Sequence, residues 1–504
     1  MKGQKSSERS SLGKKQILIN ALTKEVRIAV LEDGELVEFY VERKENRGIV
    51  GNIYKGKVIK IVPAVQAAFV DIGEERKAFL YVRDAVNVEF DEDEFLDDEP
   101  PEVELPPIEE VLSEGQEILV QVAKEPIGTK GPRVTTNLTI PGHYLVLLPT
   151  INKVGLSRRI TDEKERERLK EIAKRIKPEN YGIIVRTAAE GATEEELKKD
   201  LDYLLKVWEG LTEKAEKKPP PSCLYRDLEI VPKTLRDLLT DEVSEVLIDS
   251  RREFERAVSF AKAFIPKLVP RIKLYKGEVP LFEKFQVERA IERALSRKVY
   301  LPGGGYIVID ETEALVSIDV NSGKFKKAKS LEETALEINL KAAKEIARQL
   351  RLRDIGGIIV IDFIDMKEEE NKRKLLETLE EELKKDRAKT KVVSMSDLGL
   401  VEMTRKRVKM SLGKTLTTTC PYCEGRGRVK SPETVAFEIE REIISNLKRK
   451  LVNTLRIYAN PLVASKLTNE EKEVIDRISA IYGIEIKVIP VDHYHIEKFT
   501  LSHG

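Results

Sequence analysis

From residue 17 to residue 42 apolar and polar positions alternate with a period of two, broken once at Asp33-Gly34, which predicts two strands joined by a tight hairpin. The alternation returns in residues 49–63, 67–73, 77–80 and 117–122, where aromatic side chains stand among lysines, and predicts a barrel of short strands. Residues 88–110 interrupt it with an acidic, proline-bearing stretch that reads as a solvated loop. A compact α/β module follows, with a strand at 182–187 and a helix capped by Thr193 with Glu196 at the fourth place. It ends at Lys217-Lys-Pro-Pro-Pro-Ser222, a linker signal, after which strand and helix pieces resume.

The strongest pattern is residues 313–366. Ala314-Leu-Val-Ser-Ile-Asp319-Val-Asn321 and Gly356-Gly-Ile-Ile-Val-Ile-Asp362 read as strands, the second apolar enough for burial on both faces. Between them Ser330-Leu-Glu-Glu333 spells a capping box, and Leu331, Ala335, Ile338, Ala342, Ile346 and Leu350 mark the apolar face of a helix. A crossover of this length predicts a parallel βαβ unit, which sets Asp319 and Asp362 side by side at one sheet edge. Beyond residue 431 a long helix and a small mixed domain close the chain.

Composition narrows the chemistry. A chain of 504 residues, 41% of them apolar, needs several cores, and with Lys+Arg and Asp+Glu both at 88 any polyanion-binding surface has to come from local clustering. The polar, basic start and the lack of a long apolar run predict a cytoplasmic protein. Three cysteines exclude a disulfide scaffold, and four scattered histidines argue against a histidine-based triad. Carboxylates and metal are left to carry the chemistry.

Asp319, Asp362 and Asn321 form a hard oxygen set of the kind that holds Mg²⁺, although strand-end aspartates also serve as caps, and the pattern leaves both open. Phe69 and Phe79 could stack bases while Lys130 meets phosphate, as in oligonucleotide-binding barrels, or both rings could be core. Gly303-Gly-Gly305 and Gly413-Lys-Thr415 lack the full phosphate-loop spelling, so neither supports a nucleotide-driven motor. Cys420-Pro-Tyr-Cys423-Glu-Gly-Arg-Gly427 has the form of a zinc knuckle with two of the four ligands a structural zinc needs, so two chains would share one ion. A redox pair is the competing reading, weakened because no thioredoxin-like βαβ pattern is evident around it.

Asn52-Ile-Tyr-Lys-Gly-Lys57, Ala67-Ala-Phe-Val-Asp71, Leu156-Ser-Arg-Arg-Ile160, Val185-Arg-Thr187, Ile318-Asp-Val-Asn-Ser322, Val360-Ile-Asp-Phe-Ile-Asp-Met366 and Cys420-Pro-Tyr-Cys423 occur in one order along the chain. In these motifs it resembles the ribonuclease E/G family of endoribonucleases, and its length resembles the shorter, ribonuclease G type. The run Gly323-Lys-Phe-Lys-Lys departs from the family's usual spelling, though its lysines suit a phosphate backbone.

The resemblance implies a multidomain α/β chain. A ribonuclease-H-like domain would come from residues 1–48 and 219–294, an OB-fold RNA-binding barrel from 49–136 and a 5′-sensor from 137–218. A deoxyribonuclease-I-like catalytic domain (295–416), a zinc link (417–430) and a small dimerisation domain (431–504) would follow. It implies catalysis by Asp319, Asn321 and Asp362 with Mg²⁺ on the two aspartates, structural Zn²⁺ on Cys420 and Cys423, and RNA contacts by Phe69, Phe79 and Lys130. Gly142, with an unshielded amide, Val146, Arg186 and Thr187 would form the 5′-phosphate pocket. The substrate would be single-stranded RNA, cut to leave 5′-monophosphate and 3′-hydroxyl ends, by a homodimer able to pair into a dimer of dimers. The alternative is a non-catalytic RNA-binding or ribosome-assembly factor.

Overall fold

The computed structural model describes residues 15–43, 47–86, 105–126, 130–323, 330–396, 398–407, 409–447 and 453–503. The chain start, most of the acidic stretch (88–104) and the lysines after Gly323 lie outside the described residues. The chain divides into two compact units, Met1–Leu412 and Gly413–Gly504.

In the larger unit the predicted hairpin forms between Glu25–Glu32 and Glu35–Arg43, and Asp33 and Gly34 both adopt positive φ (52° and 82°), as a primed turn demands. Lys15–Asn20 pairs antiparallel with the first of these and parallel with Val243–Ile248, which continues to Ile272–Leu274 in one five-stranded sheet. Asp249 ties the two distant segments together by accepting from the Asn20 side chain at 2.6 Å and the Ala21 N–H at 2.8 Å.

Ile53–Val62, Ala67–Asp71, Ala78–Tyr81, Arg133–Thr135 and Glu117–Lys124 make a closed barrel, the first strand pairing with the last. The proline run is no free linker. Its prolines, which lack N–H donors, end the helix Glu194–Lys217, and Ser222–Tyr225 at once adds a strand to Ile53–Val62. The described end of the acidic stretch is exposed at Pro106, Pro107, Glu109 and Glu110 but anchored by Ile108, which is fully buried in the barrel core and whose N–H donates to Gln66 Oε1 at 2.9 Å. Next to the barrel, a four-stranded sheet runs Val154–Leu156, Gly182–Val185, Leu145–Leu148, Ile140–Pro141. The Glu194–Lys217 helix that packs on it starts with the predicted capping box, Thr193 and Glu196 each bonding the other's backbone.

The aspartate-bearing unit forms the predicted strand, helix and strand, although Leu331, expected on the helix's apolar face, is 91% exposed in its first turn. Leu315–Asn321 and Gly357–Asp362 pair in parallel and are joined by the helix Leu331–Arg353, whose N-cap Ser330 Oγ accepts from Glu333 N–H at 3.1 Å. Ile338, Ile346 and Leu350 are fully buried, contributing about 1.5–3 kcal/mol each. The six-stranded sheet adds Lys298–Tyr300, Tyr306–Glu311, Leu400–Arg405 and Thr390–Met395, and Gly303, Gly304 and Gly305, all at positive φ, turn the chain between the first two of these.

Gly357–Asp362 is not buried on both faces. Ile359 and Ile361 face the helices, whereas Ile358 is 55% exposed and Asp362 is exposed, because the helices Leu331–Arg353 and Glu369–Leu383 share one core with a single face of the sheet. Among the described residues the other face is open.

The smaller unit holds a three-stranded sheet in which Thr454–Ala459 lies between Glu485–Pro490, parallel to it, and Phe499–His503, antiparallel. Helices Pro461–Asn469 and Lys472–Tyr482 make the parallel crossover, so a βαβ pattern does exist here, overlooked because two short helices replace one periodic stretch. Cys420 and Cys423 precede it, outside the strand-to-helix turn.

Candidate active site

Parallel register places Asp319 directly opposite Asp362 on the open face of the six-stranded sheet. Alternation does the aiming: Ile318, Val320 and Ile361 enter the core, so Asp319, Asn321 and Asp362 turn outward. Asn321, next on the same side, donates from Nδ2 to Asp319 Oδ2 at 2.7 Å and so holds that carboxylate in one orientation. The floor beneath them is fixed by Asn339, fully buried in the crossover helix, whose side chain bonds both backbone groups of Ile364 at 2.7 and 3.0 Å.

Two adjacent exposed carboxylates with water on one side fit Mg²⁺, which is commonly held by one or two carboxylates and completes its shell with water and phosphate oxygens. Among the described residues no group of three or more His, Cys, Asp or Glu side chains forms an all-protein metal cage.

On the barrel, Phe69 and Phe79 are cross-strand partners with ring centroids 5.5 Å apart, and Phe69 is 37% exposed. Neither is a simple core residue. Tyr81, 4.4 Å from Phe79, and the Arg133 guanidinium, 4.8 Å over Tyr81, extend the row. Tyr81 escaped the sequence reading, although its place two residues after Phe79 puts it on the same strand face. Lys130 is exposed beside Gly131, where a Cβ would meet the Lys77 carbonyl oxygen at 2.0 Å; that close approach brings Lys130 to the strand carrying Phe79.

The residues expected at a 5′-pocket meet in part. Arg186 donates to the Gly142 carbonyl at 2.5 Å and to Asp237 Oδ1 at 2.7 Å, and Thr187 Oγ1 lies 3.0 Å from Ser157 Oγ. Val146 is half-buried on Leu145–Leu148, which pairs with the strand leading into Arg186. The expectation of an unshielded Gly142 amide fails, because this N–H donates to the Leu145 carbonyl at 2.7 Å across a tight turn. Glycine is required there for another reason: a Cβ would lie 2.5 Å from Asp200, whose carboxylate accepts from the amides of His143, Tyr144 and Leu145.

Burial raises the Asp200 carboxyl above its ordinary value against the pull of those amides. Burial also works to raise Asp237, but the Arg236 and Arg186 guanidinia outweigh it and hold the group at about 2. Neither carboxylate is visible in the sequence as a partner of the 142–186 region, because each lies more than 50 residues from the group it binds there.

In the smaller unit the knuckle turns through Glu424 N–H to Cys420 carbonyl (2.8 Å) and Arg426 N–H to Cys423 carbonyl (2.9 Å). The amides of Cys423 and Tyr422, with the Cys423 side chain, pull the exposed Cys420 thiol below its ordinary value. His495 stacks on Tyr422 and bonds its carbonyl through Nε2 at 2.7 Å, while Nδ1 accepts from Glu497 N–H at 3.1 Å. Both ring nitrogens are engaged, so this nearby histidine braces the turn and adds no ligand. The two thiols are half of the four donors that a structural zinc takes.

An open sheet face with two adjacent carboxylates, and a closed barrel bearing exposed aromatics, are features a nuclease could use, and comparison with known proteins shows the family. The model of the Ribonuclease E/G family matches residues 139–408, and that of the RNase E/G, Thioredoxin-like domain matches residues 419–504. The chain is 42% identical to Ribonuclease G of Salmonella typhimurium (strain SL1344) over 487 residues, 96% of this chain and 99% of the relative. Ribonuclease G of Haemophilus influenzae is 43% identical over 488 residues, with the same coverage. Ribonuclease E of Escherichia coli (strain K12) is 38% identical over 491 residues, 96% of this chain but 46% of that protein. The chain belongs to the ribonuclease E/G family. By that membership it is an endoribonuclease rather than a non-catalytic RNA-binding or assembly factor.

Proposed function

We propose that this protein is a Mg²⁺-dependent endoribonuclease of RNA processing and decay that cuts single-stranded RNA, leaves 5′-monophosphate and 3′-hydroxyl ends, and favours 5′-monophosphorylated substrates. The observation that carries the reading is the in-register pairing of Asp319 with Asp362 on an open sheet face. Asp319 and Asp362 hold the ion, and Asn321 keeps the Asp319 carboxylate aimed. Bound Mg²⁺ supplies an activated water and offsets charge developing on the scissile phosphate. Phe69, Phe79 and Lys130 receive unstacked bases and the backbone, as single strands allow. Arg186 and Thr187, with Gly142 and Val146 beside them, recognise the 5′-phosphate, whose charge competes with Asp237 for the Arg186 fork.

The sheet that joins Lys15–Asn20 to Val243–Ile248 supports a ribonuclease-H-like domain split by the barrel and the sensor. The mixed six-stranded sheet supports a deoxyribonuclease-I-like catalytic domain over residues 295–416, with the zinc link and dimerisation domain following. Two such chains share one Zn²⁺ through Cys420 and Cys423, forming a cytoplasmic homodimer able to pair again. The test is cleavage of labelled single-stranded RNA bearing a 5′-phosphate or a 5′-hydroxyl, with and without Mg²⁺, and analysis of the new ends. Mg²⁺-independent cutting, or a 2′,3′-cyclic phosphate product, would overturn the reading.

A further inference from the structure

The outward positions of the six-stranded sheet continue past the aspartates in two cross-strand rows. Asn321 faces Tyr306, which faces Tyr300 on the edge strand. Asp319 faces Val308, which faces Lys298. Val299 and Ile307 take the inward positions between them, so Lys298, Tyr300 and Tyr306 stand on the same face as the candidate metal site.

Their chemistry is unusual for a solvated surface. Tyr300 is 72% exposed, Lys298 Nζ lies 5.0 Å from its ring and 3.4 Å from that of Tyr306, and the two rings are 6.1 Å apart. Among the described residues Lys298 has no carboxylate partner, whereas its neighbour Arg297 is paired with Asp310. An edge aromatic left this exposed has solvation against it, and a lysine held over aromatic rings keeps its charge available to a third group.

We propose that Tyr300, Tyr306 and Lys298 form a nucleotide subsite beside the cleaved bond, in which a tyrosine face stacks the base of a flanking nucleotide and Lys298 meets its phosphate. Neighbouring strands lie about 4.8 Å apart, so Tyr306 is one strand and Tyr300 two strands from Asn321, within reach of a nucleotide adjoining the scissile phosphate. Aromatic stacking tolerates any base, so the subsite positions the strand without reading sequence. This inference rests on the aspartate pair being the cleavage centre.

The test uses an RNA oligonucleotide with one cleavage site and a set of copies, each carrying a single abasic nucleotide at successive positions. With the wild-type protein, an abasic residue next to the cleaved bond should lower kcat/KM by roughly five- to a hundredfold. Tyr300→Ala should lower kcat/KM on the intact RNA similarly and remove that extra penalty, while Tyr300→Phe should behave as wild type. Lys298→Ala should reduce the slope of log affinity against log salt by about 0.7. Equal abasic penalties at every flanking position in wild type and Tyr300→Ala would overturn the subsite and leave the nuclease reading intact. A wild-type protein that cuts none of the oligonucleotides with Mg²⁺ would instead overturn the cleavage centre beneath it.

Discussion

Asn339 and Ile364 are joined by two hydrogen bonds, from Asn339 Nδ2 to the Ile364 carbonyl at 2.7 Å and from the Ile364 N–H to Asn339 Oδ1 at 3.0 Å. Ile364 lies two residues past Asp362, where the strand has ended and the sheet no longer fixes the backbone. A fully buried amide on the crossover helix therefore takes over the task of holding that segment.

Replacing Asn339 by leucine leaves a buried N–H and C=O without partners, at a cost of about 1–3 kcal/mol each. The expected outcome is a lower kcat and a higher Mg²⁺ concentration for half-maximal cleavage, with RNA affinity nearly unchanged. Titrating cleavage rate against Mg²⁺ checks it; a variant with wild-type Mg²⁺ dependence would show that the clamp does not reach the aspartates.

The module of residues 137–218 should carry its own pH dependence. Burial lowers His143 from 6.5 to about 4, and its Nδ1 lies 2.9 Å from the Arg236 carbonyl. The unfolded chain binds a proton on this ring between those two values while the native protein does not, so stability falls as pH drops from 6.5 towards 4. The shift corresponds to roughly 3 kcal/mol. Amide protection factors of Leu145–Leu148, taken against the intrinsic exchange rate at each pH, should fall across this window in the wild type and less so in His143→Gln; identical profiles would exclude the histidine as the cause.

Arg186→Ala should abolish the preference for a 5′-monophosphate and leave cutting of 5′-hydroxyl RNA nearly unchanged. Hydrogen bonds to a charged group contribute about 1.5–3 kcal/mol, so the wild-type ratio should be roughly ten- to a hundredfold. A variant that keeps that ratio would remove Arg186 from the sensor.

Serine at both Cys420 and Cys423 should release zinc and weaken the dimer, and metal analysis of the wild type should find about one zinc per two chains, because each supplies two of four ligands. One zinc per chain would contradict the shared link.

The parts of this structure that are legible in the sequence are those where side-chain period and chain direction act locally. The Asp33-Gly34 turn, the Thr193 and Ser330 caps and the strand-helix-strand unit that pairs Asp319 with Asp362 are of this kind. What stayed hidden depends on partners far along the chain. Ser222–Tyr225 joins a strand from residue 53 onward, Asp200 and Asp237 bind groups of the 142–186 region, and Asn339 clamps Ile364 across a helix. Ile358 is more exposed than its apolar run predicts, because such a run tells how much of a strand can be buried, not how many layers cover it.

If Asp319 and Asp362 together form the cleavage centre, single-turnover cleavage of a labelled single-stranded RNA by Asp319→Asn and Asp362→Asn at saturating Mg²⁺ will report it. Losing metal-anchored charge worth several kcal/mol in the transition state should slow each variant by roughly a thousandfold or more, while RNA affinity changes far less. Near-wild-type cleavage by both variants would place the chemistry elsewhere in the molecule.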